Sequence, residues 1–455
     1  MPPFPLREAH AHLAALGESL HIPSLASCDS VSSCLHAAAN ERERLLRGAR
    51  RAGAPAPFVR FTAARVAAWR EERWPTLAEL DAAVPDCPCV LMSFDHHAAA
   101  ANSAAMRLCG LAAGAAIGAN GRVDVDSCGA ATGLLIEDAA YAAWLAAPAP
   151  DDPERLRQLA AALDHLAAMG YVEVHDLHSQ PFLGPMLAEL ERAGRLRLAV
   201  SLYPPFAALD DALASRARWE SPRLRLGGFK LFADGTLNSR TAHMLHRYAQ
   251  PLLNLPRGQC MIAPAALEAA FRRASDVGLP LAVHAIGDAA VRTVLDALQR
   301  ARAGPGVSDP GLTPAGRHRL EHCELVDTRD VPRFAQLGVV ASVQPCHLLA
   351  DVEALTRFLP HRLDRVLPLR ELIDAGCAPG PEGLLWFGSD VPIVPADPRD
   401  SIQAAVHRRR AGDAGAEPIA PAQAIREREA WAAFAAPASA FASTPASAAP
   451  AVPPH

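Results

Sequence analysis

The stretch GFKLFADG, Gly228–Gly235, sets the reading of the chain: an apolar run carries one lysine, Lys230, and stops at Asp234-Gly235. An ammonium is costly to desolvate in an apolar strand, and Asp-Gly favours a turn, so the run reads as a strand ending at a place where a lysine is wanted. Working outward, the same form recurs. LAVHAIGD (Leu281–Asp288) carries His284, RLEHCE (Arg319–Glu324) carries His322, LWFGSD (Leu385–Asp390) ends on Asp390, and REAHAHL (Arg7–Leu13) carries His10 and His12. Ligand-type side chains at the ends of parallel barrel strands converge on one rim.

Eight strand candidates can be read: Pro5–Ala9, Tyr171–His175, Leu196–Leu202, Leu226–Phe232, Leu281–His284, Arg319–His322, Val339–Val343 and Leu384–Gly388. Between them, Pro153–Met169, Pro185–Ala193, Ala265–Val277, Ala289–Ala303, Asp330–Leu337 and Leu367–Ala375 have helical apolar spacing. This alternation predicts an α/β chain folded as a (β/α)8 TIM barrel. The connection from Leu13 to about His165 exceeds any ordinary loop and reads as an inserted lid or substrate subdomain, 13–165. Within it Val90–Phe94 reads as a strand leading to Asp95, His96 and His97, then to a helix beginning near Asn102-Ser103. Residues 1–420 are expected to form one unit. Residues 421–455 read as a helix remnant, Pro421–Phe434, followed by an Ala/Pro/Ser-rich tail without fixed structure, outside the core.

With 455 residues, half of them hydrophobic, the chain can bury a large core without disulfide staples. Lys+Arg 44 against Asp+Glu 49 and the lack of a basic face argue against nucleic acid. The run Arg408–Arg410 reads as a solvated helix end. No stretch has the form of a signal peptide or a bilayer span, so no membrane partner is expected and the cytoplasm is the expected compartment. Ten cysteines without a CxxC pair fit reduced thiols.

Two histidines spaced as in His10-Ala11-His12 project to one side of a strand and can bind one ion. Lys230 reads either as a lysine snorkelling to the rim or as an amine that adds carbon dioxide and bridges two cations as a carbamate. His284 and His322 taken singly could be hydrogen-bonded core residues, and Asp390 could be a helix cap. Asp390 could equally bind metal and move a proton.

The order HxH, Lys, His, His, Asp resembles the amidohydrolase superfamily. The segments REAHAHL, DHHAAAANSAA, GFKLFADGTLNSRTA, HAIGDAAV, RLEHCELV and GSDVPI are similar to its amidohydrolase family 3 branch of metal-dependent hydrolases. The resemblance implies a binuclear, zinc-type centre of one or two divalent ions per chain. His10, His12 and Asp390 would hold one ion, His284 and His322 the other, and carbamylated Lys230 would bridge. Relatives carry a small β-sandwich that is expected to be absent or strongly reduced here. The implied activity is hydrolysis of a C–N bond in a small molecule (an amide, formamide or cyclic amide) by a metal-activated hydroxide, with Asp390 and Lys230 as catalytic groups. His97, Asn102, Arg240 and His243 are the candidate substrate contacts. The alternatives are a mononuclear deaminase of the same superfamily, disfavoured because His284 is not followed by HxxE spacing, and an inactive metal-retaining binding or regulatory protein. Self-association into a homo-oligomer is a further expectation, through apolar surface that the missing sandwich would leave bare.

Overall fold

The computed structural model describes residues 4–52, 57–94, 96–118, 121–252, 254–303, 316–410 and 415–438. The first strand, β1 (Leu6–Ala11), is buried along its whole length, as suits a parallel strand covered on both faces. A second group follows: β2 (Val59–Ala64), β3 (Cys89–Ser93), β4 (Ala98–Ala101), β5 (Ala116–Ile117), β6 (Gly121–Val125) and β7 (Ala131–Ile136). The remaining strands are β8 (Tyr171–Leu177), β9 (Ala199–Tyr203), β10 (Leu224–Leu226), β11 (Phe229–Phe232), β12 (Leu281–Ala285), β13 (Arg319–His322), β14 (Val340–Val343) and β15 (Leu385–Phe387).

The fold is α/β. Strands β1-β8-β9-β10 form one parallel sheet and β11-β12-β13-β14-β15 another. Parallel bridges Pro205↔Lys230 and Ala11↔Val391 join the two sheets at either side. The expected single strand Leu226–Phe232 is broken into β10 and β11 at Gly227-Gly228, and the reason is packing. A Cβ on Gly227 would lie 2.7 Å from the Tyr203 ring, and one on Gly228 would lie 2.4 Å from the Pro280 carbonyl oxygen. The backbone passes so close to its neighbours there that only glycine fits.

The helices Asp152–Ala168, Leu183–Arg192, Pro264–Asp276 and Asp288–Arg302 match their sequence expectations to within a few residues. The first is capped by Asp151, whose carboxylate accepts the Glu154 N–H at 2.8 Å. Leu13, Leu16, Leu159 and Leu163 all belong to the main apolar core. The boundaries expected at 13 and 165 therefore fall inside helices that pack with the parallel sheets. The separate six-stranded sheet, ordered β2-β3-β4-β7-β6-β5, is narrower than that span. Its faces follow the strand period of two: Leu91 packs with Val59 and Phe61 on one side, Val90 and Met92 with Leu135 and Trp144 on the other.

The strand expected at Val90–Phe94 and the helix expected near Asn102-Ser103 are present, as Cys89–Ser93 and Ser103–Leu108; two other expectations need correction. Between His97 and Asn102 the chain forms β4, a run of four alanines whose low strand propensity hid it; pairing with β3 and β7 overrides that propensity. Asp95 lies outside the described residues. Arg408 is not a solvated helix end but is 1% exposed, with Nε on the Ile419 carbonyl at 3.0 Å and Nη2 on that of Val366. Burial lowers its pKa to about 10; the two backbone carbonyls take the place of water at Nε and Nη2, while Nη1 has no partner among the described residues.

The C-terminal segment also departs from expectation and belongs to the core as far as it is described. The helix Glu427–Ala433 ends at Phe434, fully buried between the rings of Tyr171 and Phe387 at 6.3 and 5.6 Å. Its carbonyl accepts the Arg7 N–H at 2.7 Å, and Ala436 N–H reaches Pro5 O at 3.1 Å, so the segment clips onto the edge of β1. Residues 439–455 lie outside the described residues. No helix among the described residues is long and apolar enough to cross a membrane. Phe434→Ala is expected to destabilise the protein by about 3–5 kcal/mol, the usual cost of emptying a buried aromatic site. Urea unfolding checks this, and a midpoint equal to wild type would place the segment outside the core after all.

Candidate metal centre

Five of the six ligand candidates stand near or just beyond the C-terminal ends of parallel strands, Lys230 lies within β11, and all six line one cavity of about 350 Å³. His10 and His12 lie on and just after β1, Lys230 on β11, His284 on β12, His322 ends β13, and Asp390 follows β15. Asp390 Oδ1 is 3.3 Å from His10 Nε2 and 2.9 Å from His12 Nε2. The rings of His10 and His322 are 4.9 Å apart, and those of His322 and His284 are 4.4 Å apart. The ligand atoms of His10, His322 and Asp390 lie within 4.8 Å of one another, close enough to share an ion.

The other nitrogen of each imidazole decides whether a cation fits. His10 Nδ1 meets Glu321 Oε2 at 2.7 Å, His12 Nδ1 meets the Leu177 carbonyl at 2.6 Å, and His284 Nε2 meets the Gly235 carbonyl at 3.1 Å. Carboxylates and carbonyls only accept, so each of those nitrogens carries the hydrogen. The opposite nitrogen of a neutral ring then carries a lone pair. All three rings are oriented by an acceptor behind them, the arrangement that metal-binding histidines use; His12 differs in that its Nε2 also meets the Asp390 carboxylate, so both its nitrogens face acceptors. The donor set of imidazoles and a carboxylate suits a zinc-type ion.

Electrostatics agree for His10, His284 and His322; at His12 burial alone would lower the pKa, but the Asp390 carboxylate raises it. Burial, then Lys230, lowers the His10 pKa to about 4; burial and the same lysine hold His284 well below the imidazole range. Burial, then His284 and His10, does the same for His322, whose Nδ1 is buried with no hydrogen-bond partner among the described residues. Lys230 is 2% exposed and makes no hydrogen bond among the described residues; burial lowers its pKa to about 8 against the pull of Glu321 and Asp390. Burial alone would raise the Asp390 pKa, but His10, His12 and His347 hold the carboxyl below its usual range. Both His322 and Asp390 adopt left-handed backbone angles, φ 72° and 65°. Such conformations cost energy for residues with a side chain, and they concentrate at functional sites.

Below the cavity floor lies a chain of buried charges. Glu321 meets Arg319, whose Nη1 reaches His175 Nδ1 at 2.7 Å, and His175 Nε2 meets Glu173 at 3.2 Å. Arg319 also donates to the Ala9 carbonyl and to Ser342 Oγ, the latter at 2.8 Å. Glu8 works from the other side, taking the N–H groups of His10 and Ser389 at 3.0 and 2.9 Å. A Cβ on Gly388 would come within 2.6 Å of His10 N, so glycine is what lets β15 approach β1 here.

The candidate substrate contacts divide. His97 lines the cavity, its Nδ1 held by Glu137 Oε2 at 2.7 Å. Asn102 does not. It is fully buried, with Oδ1 accepting from Cys89 N and Ala105 N and Nδ2 donating to the Val84 and Cys87 carbonyls, so all its bonding capacity serves the turn. His243 lies off the cavity and contributes its backbone: its N–H meets Asp234 Oδ2 at 2.8 Å, and its carbonyl takes the Ala289 N–H. Asp234 also accepts from Ile286 N and Gly287 N, tying the turn after β11 to that after β12. Arg240 faces a different cavity.

Sequence reading missed His347, Glu324, His178 and Glu321. His347 sits in the helix after β14, its Nδ1 3.6 Å from Glu324 and its Nε2 3.7 Å from Asp390 Oδ2. His322, Glu324 and His347 form a second trio whose ligand atoms lie within 4.8 Å of one another. The signal was present in QPCHLL, a histidine shortly after the seventh strand candidate. For Glu321, strand alternation places it with Arg319 on one face of β13.

A family model described as amidohydrolase family matches residues 2–444. The chain belongs to the amidohydrolase family. It is 29% identical over 423 residues to the putative amidohydrolase YtcJ of Bacillus subtilis, covering 88% of this chain and 72% of that protein. It is 26% identical over 390 residues to the N-substituted formamide deformylase of Arthrobacter pascens, covering 83% and 68% of the two chains. The crystal structure of an uncharacterised metal-dependent hydrolase from Pyrococcus horikoshii OT3 superposes with a TM-score of 0.70 at 25% identity, covering 95% of this chain and 80% of that one.

Arg319→Ala would leave the buried Glu321 without its guanidinium partner and with only the His10 ring, and breaking a buried pair in this way costs about 3–5 kcal/mol. Chemical unfolding of the variant is expected to show that loss, whereas a variant as stable as wild type would mean that the charge chain has no structural role.

Proposed function

We propose that the chain is a metal-dependent hydrolase that cleaves the C–N bond of a small amide, formamide or cyclic amide. The single observation that carries the reading is the set of three imidazoles whose outer nitrogens are held by Glu321, Leu177 O and Gly235 O, which turns the opposite ring nitrogens into the cavity. The two parallel sheets are read as halves of one closed (β/α)8 barrel, and the 59–136 sheet as a wall inserted over its mouth. The likeness to an N-substituted formamide deformylase favours formamides among the substrates.

In this reading His10, His12 and Asp390 would hold one divalent ion, matched by zinc's preference for imidazole and carboxylate, and His284 and His322 would hold another. Lys230, buried without a hydrogen-bond partner among the described residues, is suited to carbon dioxide addition and to bridging as a carbamate. A divalent ion bound there supplies Lewis acidity, which lowers the pKa of water and polarises a carbonyl. Asp390 engages His10 and His12 through Oδ1, which leaves Oδ2 on the side of His347. That oxygen takes a proton from the attacking water and returns it to the leaving nitrogen. Phe94, Phe232, Ile286 and Ile393 line the cavity and limit water access to the reacting carbonyl.

Elemental analysis of protein purified without chelator is expected to give one or two divalent transition ions per chain, and fewer in Lys230→Ala. Metal-free wild-type protein after zinc-replete expression would sink the reading. Glu321→Gln should weaken metal binding by about 10–100-fold, the usual effect of losing the group behind a ligand histidine. Assayed on a panel of N-formyl and N-acyl amides, Asp390→Asn should lose at least about 10²-fold in turnover with its circular dichroism intact. Wild-type turnover in that variant would reduce Asp390 to a structural role.

A further inference from the structure

A second cavity, of about 440 Å³, lies where the 59–136 sheet meets the loops that follow β11 and β14. None of the six metal-ligand candidates lines it, although Phe94 and Asn238 form part of the wall of both cavities. Asn238 Nδ2 donates to Asp351 Oδ1 at this partition. The size falls in the usual range for small-molecule sites.

Its lining is rich in arginine, and the pairing is uneven. Arg73 is matched by Glu79 at 2.8 Å, Arg357 by Glu72 at 3.1 Å, and the lining Glu353 by Arg410 at 2.8 Å. Arg65, Arg122 and Arg240 have no carboxylate within 4.0 Å among the described residues. Arg65 donates to the Ala350 carbonyl at 2.8 Å and stacks 5.1 Å over Phe94. Arg240 donates Nη1 to the Gln250 carbonyl at 3.0 Å and stacks 4.9 Å over Phe358, while its Nε is buried with no acceptor among the described residues. Burial, then repulsion from Arg357 and Arg122, lowers its pKa. Opposing these three cations is Asp124, which accepts from Thr132 Oγ1 at 2.9 Å.

Arg240 also holds a left-handed backbone angle, φ 58°, in the turn fixed by Thr236 and Thr241. A strained turn that drives one guanidinium towards others, leaving a buried N–H without an acceptor, is costly unless something negative completes it. Planar guanidinium forks match carboxylate and phosphate oxygens. Trp74, Leu134, Ile136 and Phe358 supply apolar wall beside the cations. We propose that this cavity is a second ligand site for a small organic anion. Its carboxylate or phosphate meets Arg65, Arg122 and Arg240, and its apolar body lies against Trp74 and Phe358.

The test uses the full chain with three probes that share one ring and differ in the head group: benzoate, phenyl phosphate and uncharged benzyl alcohol. Binding is followed by calorimetry and by tryptophan emission, since Trp74 lines the cavity. Benzoate or phenyl phosphate is expected to bind saturably at about 1 mM or tighter, and benzyl alcohol not to bind. The better of the two anions identifies the head group. Arg240→Gln and Arg122→Gln should each weaken that binding by about tenfold or more without changing metal content. Arg122 is exposed on β6, so its variant tests the site with little risk to folding. Anion binding that persists unchanged in both variants would belong to the metal centre and overturn the proposal. So would equal binding of benzyl alcohol, or no saturable binding at all.

Discussion

The buried pair of Arg319 and Glu321, side by side on one face of β13, is the interaction on which the centre depends. Both are fully inaccessible, and neither charge would be tolerable there without the other. Arg319 spends its remaining donors on Ala9 O, His175 and Ser342, which ties β13 to β1, β8 and β14. Glu321 spends its second oxygen on His10 Nδ1. A charge pair whose desolvation is offset in this way fixes the ring of His10 more firmly than apolar packing could, because a hydrogen bond has direction. The ligand geometry is therefore a consequence of electrostatics one layer below it.

The same logic operates at the upper edge. Asp234 gathers three backbone N–H groups from His243, Ile286 and Gly287, although burial raises its pKa to about 8. Those bonds tie together the turns that follow β11 and β12, the strands that carry Lys230 and His284. Glu137, from the loop after β7, joins His97 to Thr241 Oγ1 at 2.7 and 3.1 Å, so the 59–136 sheet is latched to the turn after β11. The wall of the cavity and its floor are thereby held by polar contacts that small shifts would break.

Much of this was legible in the chain. Eight apolar runs gave the parallel strands, and five of them pointed to ligand residues because strand ends in such a fold converge. What could not be read was whatever depended on contacts between distant segments. Asn102 is a polar residue beside a histidine pair, and only its four buried bonds reveal it as a structural cap. The alanines of β4 carry no strand signal, since their pairing comes from neighbours far along the sequence. Phe434 sits in a low-complexity context, yet the ring finds a pocket between Tyr171 and Phe387. His347 was hidden because its helix, and not a strand end, brings it to Asp390.

Anomalous diffraction at the zinc edge, from crystals of the zinc-replete protein, tests the central claim most directly. The account predicts a maximum about 2.0–2.2 Å from His10 Nε2, His12 Nε2 and an Asp390 oxygen, with any second maximum at His284 Nδ1 and His322. Maxima confined to other positions, or none at all, would contradict it.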